Sequence, residues 1–142
     1  MAIDRTATAV WSGGLKSGRG ALSTQSGALS ALPYGFASRF EDQPGTNPEE
    51  LIGAAHAGCF TMQLSAMLEK EGHPAEKLET KAAVRLEKDA TGFVIPSVKL
   101  SLTGKVPGMD AATFQRIANE AKTVCPVSRL LRANISLEAK LG

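Results

Sequence analysis

Two cysteines, Cys59 and Cys125, are the residues of this 142-residue chain with the most distinctive reactivity. Where thiols are kept reduced, such a pair serves either as apolar core filling or as redox chemistry. The residues before Cys59, 53–58, are small apart from His56, so another group can approach Cys59 closely. Cys125 precedes Pro126 at a predicted helix start, where free backbone N–H groups favour a thiolate. Position alone leaves the inert and the redox interpretation open for both thiols.

Other chemistry has little support in the sequence. The only histidines, His56 and His73, form no metal-ligand spacing with a cysteine, so we expect no metal site and no cofactor. His56 lies three positions before Cys59 and could influence it, although a packed core histidine is the simpler interpretation. Residues 18–20, Gly-Arg-Gly, are too short for a phosphate-binding loop, and no nucleophile-elbow motif indicates a hydrolase.

The composition predicts one globular domain over residues 1–142. The apolar fraction of 43% is enough for a core, and a net charge of +2 gives no reason to expect a nucleic-acid or membrane partner. The first residues lack the apolar core of a signal peptide, so a cytoplasmic location is expected. Residues 51–68 are the most apolar stretch, but His56 and Gln63 interrupt it, which favours a buried helix over a membrane span.

One helix is marked clearly at both ends. Asn47 is a capping residue, and Pro48 suits the first helical position. The helix is expected to run to about Glu71, with Gly72 as its stop. Its middle is apolar on nearly every side, which predicts a central helix wrapped by a sheet or covered by a second subunit.

The remaining elements predict an α+β domain with antiparallel pairing. Two or three short strands are expected before Gly35, and Asp110 caps a second helix. The other predicted elements are strands at 79–87, 93–103 and 135–141, a helix at 111–123 and a helical turn from Cys125 to about residue 132.

Three segments together resemble the OsmC/Ohr family, the osmotically inducible and organic-hydroperoxide-resistance proteins. They are residues 45–51 (Gly-Thr-Asn-Pro-Glu-Glu-Leu), 54–60 (Ala-Ala-His-Ala-Gly-Cys-Phe) and 125–128 (Cys-Pro-Val-Ser). The combination of these motifs at this separation is specific, and the likeness extends over nearly the whole chain. Residues 34–40 and His56 resemble the OsmC branch rather than the Ohr branch.

The resemblance implies an OsmC-like α+β fold, in which antiparallel sheets wrap a central helix in an intertwined homodimer with active sites at the subunit interface. It also implies a thiol-dependent peroxidase that reduces hydroperoxides and is regenerated by an external dithiol, such as a lipoyl-bearing protein. Cys59 matches the attacking cysteine, Cys125 the resolving cysteine and Glu49 the glutamate of the Asn-Pro-Glu motif. Arg39 matches the arginine of the OsmC branch. Arg19 is the alternative, but its turn lacks the Asp of the Ohr pattern, so Arg39 is favoured.

The implied reaction explains why these residue types are needed. A thiolate, not a thiol, cleaves the O–O bond, and an ordinary cysteine with a pKa near 8.5 is only a few per cent ionised at neutral pH. A guanidinium stabilises the thiolate and hydrogen-bonds the peroxide, while a carboxylate fixes the direction of the guanidinium. The sulfenic acid left on Cys59 then condenses with Cys125 to a disulfide.

Spacing adds one inference about subunits. Glu49 and Cys59 are ten positions apart on one predicted helix, or ~15 Å along its axis, so they cannot meet within one straight helix. If Glu49 serves the Cys59 site, either the helix breaks or the glutamate comes from a second subunit across a two-fold axis.

Two other functions remain open at this point. The same thiols would suit a redox sensor or disulfide carrier without fast turnover, and a non-enzymatic dimeric binding module would use both cysteines structurally. Met62 and Met67 lie on the Cys59 helix, where packing of the interior is the simpler interpretation. Together with Phe36, Phe40 and Phe60 they are also candidates for lining an apolar pocket for an alkyl peroxide.

Overall fold

The computed structural model describes every residue from Met1 to Gly142. Its helices and strands fall into two units, residues 1–51 and residues 52–142. The single domain predicted for residues 1–142 stays a prediction.

The first unit contains a three-stranded antiparallel sheet. Its strands are β1 (Ala7–Ser12), β2 (Arg19–Thr24) and β3 (Leu32–Tyr34), in the order β1-β2-β3. Trp11 and Tyr34 pair with Gly20 from either side, and their rings leave no room there for a side chain. Glycine at position 20 thus lets the two aromatic rings approach to 5.6 Å, which holds the three strands together. The predicted antiparallel strands before Gly35 are confirmed.

A short helix, α1 (Phe36–Phe40), follows β3 and was not predicted from the sequence. The Ser38 hydroxyl accepts a hydrogen bond from the Gly35 N–H at 3.0 Å and lies 2.9 Å from the Thr46 carbonyl oxygen. Gly45 has a φ of +137°, and a Cβ atom there would lie 3.1 Å from the Ser38 Cβ. Both the positive φ and the close approach require glycine. Ser38 therefore ties α1 to the loop that precedes the next helix.

The long helix α2 (Pro48–Lys70) begins and ends almost as predicted. The Asn47 Oδ1 accepts a hydrogen bond from the Glu50 N–H at 2.8 Å, and its Nδ2 donates to the Ser38 carbonyl at 3.1 Å. Gly72, with a φ of +83°, ends the helix, and the His73 N–H donates to the Leu68 carbonyl. The cap therefore also joins α2 to α1.

The second unit is built on a three-stranded sheet in the order β4-β7-β8. Its strands are β4 (Lys77–Val84), β7 (Ser97–Lys105) and β8 (Asn134–Leu141), and a separate hairpin joins β5 (Glu87–Asp89) to β6 (Gly92–Val94). The predicted strands 79–87 and 93–103 are therefore each divided, one after Val84 and the other at Pro96. Proline lacks the N–H that a ladder needs, so β7 starts only after it.

One strand pairing differs from the expected antiparallel pattern. β8 runs parallel to β7, with Val98 opposite Ile135 and Leu102 opposite Ala139. Between them lie two helices, α3 (Ala111–Val124) and α4 (Pro126–Leu130). This helical connection carries the chain back to the end of the sheet where β7 began, and a strand joined by such a crossover pairs in parallel.

The core of the second unit lies between the sheet and two helices. Phe60, Leu64 and Leu68 of α2 are fully buried together with residues of β7 and α3. By length and composition alone α2 could cross a membrane, and 28% of its apolar window is buried inside the structure, including the core residues Phe60, Leu64 and Leu68. Its opposite face is exposed and consists of small residues and one methionine: Ala54, Ala55, Gly58, Met62, Ser65 and Ala66. Within one chain the helix is thus covered on one side.

Asn47→Ala is expected to lower the free energy of unfolding by about 1 kcal/mol or more, because it removes the α2 cap and the link to Ser38. Chemical denaturation measures the loss. Asn119→Ala, within α3, is the control, since alanine favours a helix interior and the change is expected to be small. Equal losses for both variants would contradict a special role for the cap.

Candidate active site

The two cysteines lie side by side in the second unit. The Cys125 Sγ is 3.2 Å from the Cys59 Sγ, and both thiols are free. Cys59 is half-buried on α2, whereas Cys125 is fully buried. A disulfide requires an S–S distance of about 2.05 Å, so the sulfur atoms are about 1.2 Å from bonding distance. The structure thus brings together two thiols that are 66 positions apart in the sequence.

A proline places Cys125. The residue before a proline is disfavoured in the helical region, and Cys125 has φ −55° and ψ 124°. It therefore ends α3 and begins α4, with its N–H bonded to the Ala121 carbonyl at 2.9 Å. The sequence suggested that N–H groups at this helix start act on Cys125. Instead, the N–H of Val127 donates to the Cys59 sulfur, and the Cys125 side chain makes no capping hydrogen bond.

The surroundings of Cys59 favour its neutral form. Burial raises the pKa of the Cys59 thiol, the Val127 N–H acts in the opposite direction, and the neighbouring Cys125 raises it further. No lysine or arginine of residues 52–142 contributes to this pKa.

The first unit contains the arginine and the glutamate that were predicted for the site. The Arg39 guanidinium contacts the Glu49 carboxylate through two nitrogens, with Nη2 2.7 Å and Nε 3.2 Å from Oε1. Glu49 is buried and Arg39 is about one-third exposed. Because a two-point contact fixes the plane of the guanidinium, its remaining N–H groups have a defined direction. The predicted arginine and glutamate thus form one ion pair.

Local elements hold this pair in place. Arg39 lies on α1, Glu49 lies in the first turn of α2, and the hydrogen bonds of Ser38 and Asn47 join the two. Arg39 also lies over the Phe40 ring, at 5.2 Å from its centroid. The alternative, Arg19, is exposed on β2 and is absent from the ion pairs of the structure.

A cavity of about 200 Å³ lies next to Arg39 in the same unit. Its wall is largely aromatic and contains Trp11, Tyr34, Phe36 and Phe40. Of the other predicted pocket residues, Phe60 is fully buried, Met67 packs on the core and Met62 is exposed on α2. Only Phe36 and Phe40 of that set line this cavity.

A hydrogen bond near the thiols was not predicted from the sequence. The Nε2 of His56 lies 2.8 Å from the Oγ of Ser128, and both ends of the histidine ring are buried. Its Nδ1 has no hydrogen-bond partner. The expectation of a packed core histidine is confirmed, but its partner is 72 positions away, beyond what helical spacing can reveal.

His56→Gln is expected to flatten the pH dependence of stability. Burial lowers the pKa of His56 below its usual value near 6.5. Below that pH, His56 therefore binds a proton more readily in the unfolded chain than in the folded chain. The free energy of unfolding therefore decreases as the pH falls below about 6.5, by at most about 1.4 kcal/mol per pH unit from this group. Denaturation between pH 5 and about 8 measures the slope.

His73→Gln, at the other histidine, is the matched control for that series. It is expected to keep the wild-type slope, and a slope that survives in His56→Gln would contradict the assignment.

The fold and the thiol pair define a class: an α+β protein with two cysteines arranged for redox chemistry. A family model described as OsmC-like protein matches residues 40–140. The chain is 49% identical over 141 residues to peroxiredoxin OsmC of Escherichia coli (strain K12), covering 99% of each protein. It is 33% identical over 101 residues to the organic hydroperoxide resistance protein of Xanthomonas axonopodis pv. citri, covering 69% of this chain and 68% of that protein.

Solved structures agree with this result. The organic hydroperoxide resistance protein OhrB of Bacillus subtilis superimposes with a TM-score of 0.68 at 27% identity, covering 96% of this chain and 98% of that one. An OsmC-like protein of unknown function from Vibrio cholerae, at 15% identity, shares the fold with a TM-score of 0.78 and covers 97% of this chain and 99% of its own. The chain belongs to the OsmC family.

Proposed function

We propose that this protein, a thiol-dependent peroxidase, reduces organic hydroperoxides to alcohols with Cys59 as the attacking thiolate and Cys125 as its disulfide partner. The observation that carries the proposal is the 3.2 Å separation of the two free thiols. It is supported by the relatives named peroxiredoxin and organic hydroperoxide resistance protein.

In the first step the Cys59 thiolate attacks one peroxide oxygen. An S–O bond forms, the O–O bond breaks, and the departing alkoxide takes a proton to become the alcohol. The sulfur is oxidised to a sulfenic acid as the peroxide is reduced. The Arg39 guanidinium stabilises the thiolate and the developing alkoxide, and Glu49 holds its direction.

In the second step the Cys125 sulfur attacks the sulfenic sulfur. An S–S bond forms, the S–O bond breaks, and the hydroxyl leaves as water with the thiol proton. An external dithiol then reduces the disulfide by two exchange reactions and becomes a disulfide itself. A lipoyl-bearing protein or a similar dithiol is the proposed reductant, and the cytoplasm, where thiols are kept reduced, is the proposed location.

An organic peroxide suits the cavity beside Arg39. Its aromatic wall favours an alkyl or aryl group, while the guanidinium at the same cavity favours the polar peroxide end. Hydrogen peroxide has no apolar part to bury and gains nothing from that wall.

The complete site is proposed to form between two copies of the chain. Helix α2 is uninterrupted from Pro48 to Lys70, which excludes a break between Glu49 and Cys59. Ten helical positions correspond to ~15 Å, too far for one chain's Glu49 to act on its own Cys59 along the helix. A two-fold pairing of α2 would bring Arg39 and Glu49 of one copy to Cys59 of the other.

Ala55→Glu is expected to give a monomer with little peroxidase activity, because it places a charge on the exposed apolar face of α2. Light scattering or sedimentation measures the mass, expected near twice 14.9 kDa for the unaltered protein. Ala112→Glu, at an exposed position of α3, is the matched control and is expected to stay dimeric. A fully active monomer would contradict the shared site.

Peroxide consumption in the presence of a dithiol tests the function. Reduced protein is mixed with cumene hydroperoxide or hydrogen peroxide, and turnover is followed with dihydrolipoamide as reductant. We expect many turnovers and faster loss of the organic peroxide. A redox sensor or disulfide carrier would instead be oxidised once and turn over slowly, and a binding module would leave both peroxides unchanged.

A further inference from the structure

The turns that carry the two thiols are joined by a second pair of side chains. His56 lies three positions before Cys59 on α2, and Ser128 lies three positions after Cys125 on α4. Residues three apart on a helix are neighbours on its surface. The 2.8 Å contact between His56 and Ser128 and the 3.2 Å contact between the thiols therefore link the same two helices about one turn apart.

We propose that His56 and Ser128 are positioning residues for disulfide formation, because their hydrogen bond holds the α4 turn and keeps Cys125 facing Cys59 after Cys59 is oxidised. The proposal rests on the peroxidase function. Neither residue is assigned a contact with the peroxide or with either sulfur.

The shortness of α4 is the first reason. Five residues are far too few for a helix that is stable by itself, so the place of α4 depends on its contacts. Its apolar contacts come from Val127 and, just after the helix, Leu131, which pack against the core. Apolar contacts are not directional, whereas a hydrogen bond sets orientation.

The chemistry of oxidation is the second reason. Besides the His56–Ser128 bond, two hydrogen bonds join α4 and its cap to α2. The Cys125 thiol and the Val127 N–H donate them, and the Cys59 sulfur accepts both. Peroxide attack adds an oxygen to that sulfur and so changes both contacts at the moment when Cys125 must approach. The His56–Ser128 bond involves neither sulfur and can persist.

Burial is the third reason. His56 is fully inaccessible to solvent, and Ser128 is its one hydrogen-bond partner, since Nδ1 has none. A buried imidazole that lost this partner would be left without any, so the bond resists opening. A leucine of similar size would fill the space without directing the Ser128 side chain.

The test separates the two chemical steps in a single turnover. Reduced protein receives one equivalent of cumene hydroperoxide without reductant, and three quantities are followed: peroxide loss, disulfide formation and sulfinic acid by intact mass. Ser128→Ala and His56→Leu are expected to slow disulfide formation about 10- to 100-fold and, when a second equivalent of peroxide follows the first, to raise the sulfinic fraction. The rate of peroxide loss is expected to stay within about twofold of wild type, because that step uses the Cys59 thiolate.

Two further variants distinguish positioning from general loosening of the fold. Ser128→Thr keeps the hydroxyl and is expected to restore most of the disulfide rate. Thr80→Val removes another hydrogen bond to α2, the 2.7 Å contact of Thr61 with Thr80, and is expected to leave the rate unchanged. Unaltered disulfide formation in folded Ser128→Ala and His56→Leu would overturn the proposal, as would equal slowing in Thr80→Val.

A peroxide-free measurement keeps this proposal separable from the peroxidase function. Cys59 is converted to a mixed disulfide with an aromatic disulfide reagent, and the second release of the coloured thiol reports displacement by Cys125. Slower release in Ser128→Ala, together with no peroxide loss in wild type, would refute the function and retain the positioning role. Unchanged release in both variants would refute the positioning role alone.

Discussion

Cys59→Ser is expected to reduce peroxide turnover by more than about 1,000-fold, because it removes the attacking atom itself. A serine hydroxyl has a far higher pKa than a thiol and is not ionised at neutral pH without a general base. The dithiol-coupled assay with cumene hydroperoxide measures the loss. The small change from sulfur to oxygen is expected to leave the fold intact, which unfolding in denaturant checks.

Cys125→Ser separates the steps that Cys59→Ser removes together. The first equivalent of peroxide is still consumed, because the Cys59 thiol and the Val127 N–H remain. The sulfenic acid then has no neighbouring thiol at 3.2 Å, so it accumulates and is oxidised further by excess peroxide. Mass spectrometry is expected to find sulfinic and sulfonic forms of Cys59.

The wild-type protein provides the control for both variants, because one equivalent of peroxide is expected to convert it to the Cys59–Cys125 disulfide. Undiminished turnover in Cys59→Ser would refute the peroxidase mechanism. Undiminished turnover in Cys125→Ser, without overoxidation, would instead show that the external reductant acts directly on the sulfenic acid.

Arg39→Met is expected to reduce the rate of peroxide attack at pH 7 by about 100- to 1,000-fold. Burial raises the pKa of Cys59, and residues 52–142 supply no opposing positive charge. On the proposed shared site, removing the guanidinium is expected to lower the thiolate fraction at neutral pH, and the rate is expected to recover as the pH rises through the higher pKa of Cys59. Stopped-flow measurement between pH 6 and about 10 gives the profile.

The upper plateau of that profile separates two roles of Arg39. If the guanidinium only stabilises the thiolate, variant and wild type converge at high pH. A plateau that stays low would show that Arg39 also stabilises the departing alkoxide. Arg39→Lys retains the charge but loses the two-point contact with Glu49. It is therefore expected to restore the pKa of Cys59 more fully than the rate of peroxide attack at high pH.

Arg19→Met is the matched control for Arg39→Met, because Arg19 is exposed and is absent from the ion pairs of the structure. Its rate is expected to match wild type. A large loss in Arg19→Met with none in Arg39→Met would reverse the assignment. Glu49→Gln is expected to resemble Arg39→Met in direction but to be milder, because the guanidinium remains without its fixed direction.

The sequence predicted the ends of helices correctly where residues at those ends determine them. Asn47, Pro48 and Gly72 predicted both ends of α2, because a cap, a fixed φ and a positive φ act within one turn. Asp110 likewise marked the start of α3, where its side chain accepts from the Thr113 N–H. The candidate site residues came from the family motifs, since spacing alone left both thiols ambiguous.

Features set by distant partners could not be predicted in this way. Helix α1 has only five residues and depends on the contacts of Ser38 with Gly35 and Thr46. β8 pairs with β7 in parallel because α3 and α4 return the chain to the end of the sheet where β7 begins. The His56–Ser128 bond joins positions far apart in the sequence, and no periodicity marks either residue.

The unequal burial of the two cysteines makes the two sulfur atoms of their disulfide unequally accessible to an attacking thiol. Cys59 is half-buried and Cys125 has no exposed surface, so an incoming thiol can reach one sulfur but not the other. On the proposed mechanism, reducing electrons therefore enter at Cys59, and Cys125 is the leaving group. A reductant caught midway in this mechanism would be covalently attached to Cys59 and not to Cys125, and mass spectrometry of the mixed disulfide would identify the attachment site.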